Sequence, residues 1–256
     1  MKTIVCVKQV PARDSTVRLS SDKKWLDETD VTFEMNEPDA YALEEALQLR
    51  DKAGGEVVVL SVGPPRVTST IREALAKGAD RAIHIDSGSE PPLDASGTAQ
   101  LIAAALKTES PELVLTGLQS DDAGYGQTGV ILAEYLGFCH ATIVMEVSIG
   151  EGSVRVKREL EDGWFQHVTM PLPAVLTIQS GIKKLRYATL MGIKKAKTKE
   201  VRTIPASDLK IERNGGLTIT SVNAPQRNKQ TQLFTGPARD VAKQLVEKLK
   251  FEARVI

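Results

Sequence analysis

The chain has 256 residues, of which 41% are hydrophobic and 4% aromatic, so we expect one large domain with an extension and a mainly aliphatic core. Its 33 basic and 33 acidic residues give a net charge of zero, which excludes a globally basic nucleic-acid binder and a polyacidic tail protein. Two cysteines and three histidines, without metal-ligand spacing, predict neither a disulfide scaffold nor a metal site built from these residues.

No apolar run approaches the roughly 20 residues that are needed to span a bilayer. The apolar stretch at residues 4–7 is too short, before the charge of Lys8, to be the core of a signal peptide. We therefore expect a soluble protein of a reducing compartment. The start at Met1 favours the cytoplasm, with the mitochondrial matrix expected if the source is eukaryotic.

The first half of the chain alternates between strand and helix patterns. Residues 3–10 form a β-branched run, and residues 40–53 follow Asn36 and Pro38 with apolar side chains at helical spacing. Further strands are predicted at residues 56–63, 81–86 and 112–117, and further helices at residues 68–77, 94–108 and 127–136. This alternation predicts an α/β fold with a doubly wound, mostly parallel sheet and helices on both faces.

The pattern changes after residue 141. Residues 142–149 and 153–160 predict a β-hairpin, and residues 174–178 predict another strand. Periodicity then fades before a last amphipathic stretch at residues 238–249. We divide the chain into an α/β domain at 1–182, a basic segment at 183–200 and an extended C-terminal arm at 201–256. The arm either embraces another polypeptide or folds onto its own domain.

Ligands of open parallel sheets bind at the carboxyl ends of strands. Four such ends are candidates, at residues 6–10, 62–65, 86–88 and 117 onward. The last begins the glycine loop, residues 117–129, which opens a predicted helix. Its glycines permit close approach of an anion, and the Thr128 hydroxyl and the amides of residues 126–129 are suited to phosphate. Because the loop has no cationic side chain, this pattern favours a mononucleotide that is bound tightly and not hydrolysed.

Other interpretations of the same loop remain open. Residues 124–129 match G-x-G-x-x-G, but this is weak evidence for a dinucleotide because the match neither belongs to the first strand nor follows its own strand directly. A glycine-rich surface turn with a helix cap is the plainer alternative. Ser120, Asp121 and Asp122 have no histidine nearby in sequence, so we expect no catalytic residues.

The basic segment surrounds several apolar residues with lysines and arginines. Those apolar residues are Leu185, Tyr187, Leu190, Met191 and Ile193. Nucleic-acid binding is weakly indicated, because Tyr187 alone could stack on a base. A solvated basic loop and a docking loop, with Leu190 and Met191 in a partner's groove and lysines at its acidic rim, are the other two interpretations.

Several motifs, in order, resemble electron transfer flavoprotein beta subunits. They are Val7-Lys8-Gln9-Val10-Pro11, Asn36-Glu37-Pro38-Asp39, Gly78-Ala79-Asp80-Arg81-Ala82, Lys157-Arg158-Glu159-Leu160-Glu161 and Leu172-Pro173-Ala174-Val175-Leu176-Thr177, with Arg186-Tyr187-Ala188-Thr189-Leu190 after the last. The resemblance extends from residue 1 to about 200. It implies a heterodimer with an alpha subunit, FAD held by or shared with that subunit, and AMP in this one.

The resemblance also implies site residues and partners. The AMP site would consist of Cys6, Asn36, Glu37, Pro38, Asp39, Val62, Gly117, Leu118, Gln119, Ser120, Asp121, Asp122, Ala123, Gly124, Tyr125, Gly126, Gln127 and Thr128. Leu190, beside Met191, falls on the leucine that anchors acyl-CoA-type dehydrogenases, and Glu159 falls on a position that orients the flavin domain of the alpha subunit. The expected role is that of an electron carrier that passes electrons to a quinone oxidoreductase or another acceptor.

Two alternatives to this role remain. Electron-bifurcating relatives bind a second FAD in place of AMP, although the glycine loop here is closer to the AMP form. A free-standing adenine-nucleotide sensor of the universal-stress type would share the sheet but need no alpha subunit. Met191-Gly192-Ile193-Lys194 replaces the Pro-Asn-Ile-Met that is frequent in the family, so the identity of the docking partner stays open.

Overall fold

The computed structural model describes residues 1–88, 93–211, 216–225 and 231–256. Two stretches of the predicted arm, 212–215 and 226–230, lie outside the described residues. The strands are β1 Lys2–Cys6, β2 Gln9–Pro11, β3 Arg18–Leu19, β4 Leu26–Asp27, β5 Phe33–Met35, β6 Glu56–Gly63, β7 Arg81–Asp86, β8 Leu113–Gly117, β9 Cys139–Gly150, β10 Ser153–Glu159, β11 Phe165–Pro171, β12 Ala174–Ile178 and β13 Val201–Pro205. The α-helices are α1 Glu37–Ala53, α2 Thr68–Lys77, α3 Ala95–Leu106, α4 Thr128–Leu136, α5 Leu190–Ala196 and α6 Ala238–Glu247.

In the described part of the chain, nine strands form one sheet in the order β11-β10-β9-β12-β8-β1-β6-β7-β13. From β9 to β13 every neighbouring pair is parallel, while β10 pairs antiparallel with both β9 and β11. The doubly wound, mostly parallel α/β fold and the hairpin of β9 and β10 are therefore confirmed. Strands β6, β7 and β12 and helix α2 have the predicted bounds.

Each face of the sheet carries its own aliphatic core. Alternate residues of β1 point to opposite faces, so Val5 packs with Leu43 and Leu47 of α1, whereas Ile4 packs with Leu101 of α3 and Leu132 of α4. All six side chains are almost completely buried. Because both faces are covered, the central strands contain consecutive aliphatic residues, at 4–5 in β1, 57–60 in β6 and 113–115 in β8.

The prediction of one strand over residues 3–10 is wrong. Strand β1 ends at Cys6, and residues 9–11 form β2, which pairs with β5 in a separate two-stranded sheet. The backbone amide of Lys8 donates to the Asp39 carboxylate at 2.8 Å instead of to a neighbouring strand. A side chain from α1 therefore ends β1, and it does so at the carboxyl edge of the sheet.

Among the strands and α-helices of the described residues, the sequence did not predict the short strands β3, β4 and β5, nor β11, β13 and α5. Strand β13 pairs parallel with β7 along the edge of the sheet, within the compact unit Met1–Ser221. Two exposed polar residues of β13, Arg202 and Thr203, interrupt its apolar pattern. In α5 only Ala196 is buried, so no apolar stripe marks that helix in the sequence.

The second unit, Val222–Ile256, contains α6 and a following π-helical stretch, Lys248–Ala253. Helix α6 begins at Ala238, as predicted, and ends two residues earlier than predicted. Its Leu245 and Val246 are exposed, as is Phe251 in the π-helical stretch. Among the residues that the structure describes, no helix is both long enough and apolar enough to cross a membrane.

Candidate functional site

The candidate site lies where the strand order reverses. From β1 the chain continues to β6 and β7 on one side, and it returns to place β8 on the other side of β1. Open α/β sheets bind ligands at such a point, in the crevice outside the carboxyl ends of the two central strands. Here those ends are Cys6 of β1 and Gly117 of β8. The glycine loop and the start of α1 both lie next to this crevice.

Asp39 joins the two strand ends. One carboxylate oxygen accepts from the amide of Lys8 at 2.8 Å, and the other accepts from the amide of Gly117 at 2.9 Å. Burial raises the pKa of Asp39 to about 7, although both backbone hydrogen bonds favour the ionised form. The carboxylate is thus committed to holding the site's backbone, and Asp39 acts as a positioning residue.

Cys6 and Val62 line the same edge. Cys6 is the last residue of β1, and burial, followed by the nearby Asp39, raises the pKa of its thiol. The thiol therefore stays protonated and behaves as a small apolar group, as expected from the sequence. Val62 is half-buried near the end of β6, beside β1. Both residues pack in the core on the face of the sheet that α3 and α4 cover.

Asn36 holds the glycine loop. Its side-chain nitrogen donates to the carbonyl of Gln119 at 2.9 Å, and its side-chain oxygen accepts from the amide of Asp121 at 2.9 Å. Asn36 occupies the N-cap position of α1, as predicted, but its side chain makes no capping hydrogen bond. It serves the loop instead of the helix, and α1 begins at Glu37.

Close packing at the base of the loop requires glycine. A Cβ added to Gly117 would lie 2.4 Å from Oδ1 of Asp39 and 2.7 Å from Cβ of Pro38. A Cβ on Gly129 would lie 2.6 Å from Cγ2 of Thr177 and 2.8 Å from Oγ1 of Thr116. These two glycines let α1 and α4 approach the sheet closely and so fix both ends of the loop.

The middle of the loop has a different character. Gly124 and Gly126 have φ values of +64° and +61°, a conformation that other residues rarely adopt. A Cβ added to either glycine would come no closer than 3.9 Å to another atom. Gln127 occupies the N-cap position of α4, and in the described structure its side chain makes no capping bond. The first-turn amides of α4 therefore remain available to an external acceptor beside an exposed loop.

Two cations reach the loop from elsewhere in the sequence. Nζ of Lys8 lies 2.6 Å from Oδ1 of Asp122, and Arg13 forms ion pairs with Glu37 and, at 3.4 Å, with Asp121. Neither cation was predicted from the sequence, because both lie outside the loop. The position of Lys8 just after a strand end was the available signal. Together they offset the carboxylates around the crevice.

The strand end at residues 86–88 is not part of this crevice. It lies beyond β6, at the end of β7, and with β13 it borders a separate cavity of about 430 Å³. The residues that line this cavity include Asp86, Leu101 and Lys210.

The basic segment presents its apolar residues to solvent. Leu190 and Met191 begin α5 and are 87% and 63% exposed, and Tyr187 is 91% exposed. The segment is therefore an exposed apolar surface on a short helix, with basic residues around it.

Glu159, at the end of β10, accepts a hydrogen bond at 3.2 Å from Nε2 of Gln179.

A doubly wound sheet with a glycine loop at its switch point defines the class of α/β proteins that bind ligands beyond their strand ends. Comparison with known proteins narrows this class. The family model of the electron transfer flavoprotein domain matches residues 24–209. The electron transfer flavoprotein subunit beta of Methylophilus methylotrophus is 39% identical over 230 residues, which cover 88% of this chain and 85% of that one.

More distant organisms give the same result. The mitochondrial electron transfer flavoprotein subunit beta of Oryza sativa subsp. japonica is 35% identical over 259 residues, which cover both chains completely. The electron transfer flavoprotein subunit beta of Bos taurus is 33% identical over 258 residues, which cover 100% of this chain and 99% of that one. The chain belongs to the electron transfer flavoprotein family, among its beta subunits.

Proposed function

We propose that the chain is the non-catalytic beta subunit of a heterodimeric electron transfer flavoprotein. In this proposal FAD, bound with an alpha subunit, supplies the redox chemistry, and the chain binds AMP for structural reasons. A reduced acyl-CoA-type dehydrogenase would donate electrons, and a quinone oxidoreductase or another acceptor would receive them.

The AMP assignment rests on one observation, the uncapped first turn of α4 beside the glycine loop at the switch point. An adenylate phosphate would accept hydrogen bonds from these amides and from the Thr128 hydroxyl. Asn36 and Asp39 would act indirectly by fixing the loop and the strand ends. Cys6 and Val62 would give the crevice its apolar wall.

The nucleotide content of the purified heterodimer tests this assignment. We expect AMP and FAD in equal amounts after denaturation and chromatography. Two FAD and no AMP would contradict the proposal and establish the bifurcating alternative. Thr128→Val should lower the AMP content without lowering the FAD content, whereas Thr108→Val, which changes an exposed threonine, should leave both unchanged.

The docking assignment rests on the exposure of Leu190 and Met191 among basic residues. A large apolar side chain that inserts into a partner's pocket typically contributes about 2 kcal/mol or more to binding. We expect Leu190→Ala to slow electron transfer from the dehydrogenase by about tenfold or more, with normal FAD and AMP contents. A wild-type rate in stopped-flow measurements would exclude this role.

The C-terminal arm is proposed to wrap around the alpha subunit, and Glu159 is proposed to orient the flavin domain of that subunit. The exposed apolar side chains of α6 support the first of these assignments. Size-exclusion chromatography with and without a co-expressed alpha subunit provides the test. We expect aggregation of the chain alone and a single heterodimer peak on co-expression, whereas a monodisperse chain without the alpha subunit would favour a free-standing sensor.

A further inference from the structure

The basic segment is attached to the α/β domain by Arg186, which precedes Tyr187, the most exposed apolar residue of the segment. Nε and one terminal nitrogen of Arg186 lie 2.9 and 3.2 Å from the two carboxylate oxygens of Glu44, and the second ion pair of Arg186, to Asp51, measures 3.0 Å. The backbone amide of Arg186 also donates to Glu44, at 3.2 Å. The Glu44 side chain is only 5% exposed. The arginine therefore fixes both the side chain and the main chain of this part of the segment to α1.

The short helix α5, which follows, fits closely against α2. A Cβ added to Gly192 would lie 2.3 Å from the carbonyl oxygen of Ala76, so the two backbones are in direct contact. The Thr189 hydroxyl accepts from the amide of Gly192 at 3.0 Å and caps the start of the helix. The geometry leaves little freedom for the first turn of α5.

Two further cationic side chains, Arg72 and Lys199, also link this part of the chain to α2. Arg72 of α2 donates to the carbonyls of Ala196, at 2.6 Å, and Lys199, at 3.0 Å. In return, Nζ of Lys199 donates to the carbonyl of Leu75 at 3.1 Å and to that of Ala79. A cation from α2 thus binds carbonyls at the end of α5 and just beyond it, and a cation that follows α5 binds carbonyls at the end of α2 and just beyond it.

We infer that Arg186 is a positioning residue for partner docking, which holds Tyr187, Leu190 and Met191 in a preorganised arrangement before the partner arrives. This inference rests on the proposed docking function. A surface that is already ordered loses less conformational entropy on association, so its apolar side chains contribute more of their burial energy to affinity. Without the link to Glu44, the same side chains would have to be ordered during binding.

The test uses purified heterodimers and a reduced acyl-CoA-type dehydrogenase as electron donor. We expect Arg186→Gln to raise the KM for the flavoprotein by about fivefold to tenfold, because several side chains must then be ordered on binding. The kcat should stay within about twofold of wild type, since the segment does not touch the flavin in this proposal. Arg186→Lys keeps the charge but loses the two-pronged contact, so its KM should be intermediate.

Lys184→Gln is the matched control. Lys184 is exposed and forms no ion pair with the residues that the structure describes, so this change removes one positive charge from the segment and measures loss of electrostatic steering alone. We expect less than a twofold change in KM. Equal KM values for Arg186→Gln and Lys184→Gln would overturn the inference, as would a lower kcat at unchanged KM, which indicates partial unfolding.

Leu190→Ala separates this inference from the proposed function. If Leu190→Ala is impaired and Arg186→Gln matches its control, docking stands and positioning by Arg186 fails. If Leu190→Ala behaves as wild type, the docking function itself fails. Should Arg186→Gln not yield a heterodimer because Glu44 is left buried without its cation, the double variant Glu44→Gln/Arg186→Gln removes both charges and should show the same rise in KM. A wild-type KM in the double variant would overturn the inference.

Discussion

The glycine loop and the basic segment both contact helix α1, but different kinds of side chain hold them. Short side chains, Asn36 and Asp39, hold the loop through main-chain hydrogen bonds at the strand ends. The long cationic side chain of Arg186 holds the basic segment by binding Glu44, which lies 142 positions earlier in the sequence. Short polar groups build a site into the fold, whereas long charged side chains can fix a surface segment in place and leave its apolar residues exposed.

Gly117→Ala tests the built-in region and should have the largest effect. The new Cβ would lie 2.4 Å from the carboxylate of Asp39, so α1 or β8 must move, at a cost of about 3 kcal/mol or more in unfolding free energy. Gly124→Ala has open space and only an unfavourable φ, so it should cost about 1 kcal/mol. Melting temperatures of the two heterodimers measure the contrast. Equal losses would show that backbone conformation, and not packing, decides both positions.

The pH dependence of stability tests the role of Asp39. Its pKa rises from 3.8 to about 7 on folding, so between these values the native state binds more protons than the unfolded state. Stability should therefore fall as pH rises through this window, by up to about 1.4 kcal/mol per pH unit from this group. Asp39→Asn cannot titrate and resembles the protonated carboxyl group, which also accepts only one of the two backbone bonds well.

The unfolding free energy of wild type minus that of Asp39→Asn should accordingly fall from about pH 4 to pH 7. Urea denaturation of the heterodimers at a series of pH values measures it, and comparison with the variant cancels the other titrating groups. If this difference in unfolding free energy rises with pH instead, the amides of Lys8 and Gly117 outweigh burial and hold the pKa of Asp39 below its usual value.

The same contrast explains what the sequence could predict. Strands β6 and β12 and helix α2 were placed with their observed bounds because buried aliphatic periodicity is a local signal. The glycine loop was found for a related reason, since glycines after a buried strand need no distant partner to be informative.

Long-range contacts leave no such local pattern. Lys8 and Arg13 reach the loop only because the topology places β1 beside β8. The salt bridge of Arg186 to Glu44 also joins distant positions, so the basic segment was recognised as exposed and basic but its attachment was not. Strand β13 escaped prediction because it is an edge strand with two exposed polar residues.

Gly192→Ala should have the smallest effect on stability and sharpens the comparison. Its Cβ would meet the Ala76 carbonyl oxygen at 2.3 Å, which is as severe as the contact at Gly117. Helix α5 buries only Ala196, so a displacement forced by the new Cβ would expose little apolar surface, and alanine gains about 1 kcal/mol of helix propensity. We expect a shift in melting temperature below about 4 °C. The KM for the dehydrogenase should nevertheless rise, and a thermal loss equal to that of Gly117→Ala would contradict this view.

The exposed segment is anchored in the sheet at both ends. It leaves β12 and enters β13 five strand positions away, a lateral distance of about 24 Å. An inserted or deleted residue would strain this crossing or shift the register of an edge strand, so the length of the connection has little room to change. Evolutionary or engineered changes of redox partner should therefore occur by substitution at solvent-facing positions such as 187, 190 and 191, while the number of residues between β12 and β13 stays the same.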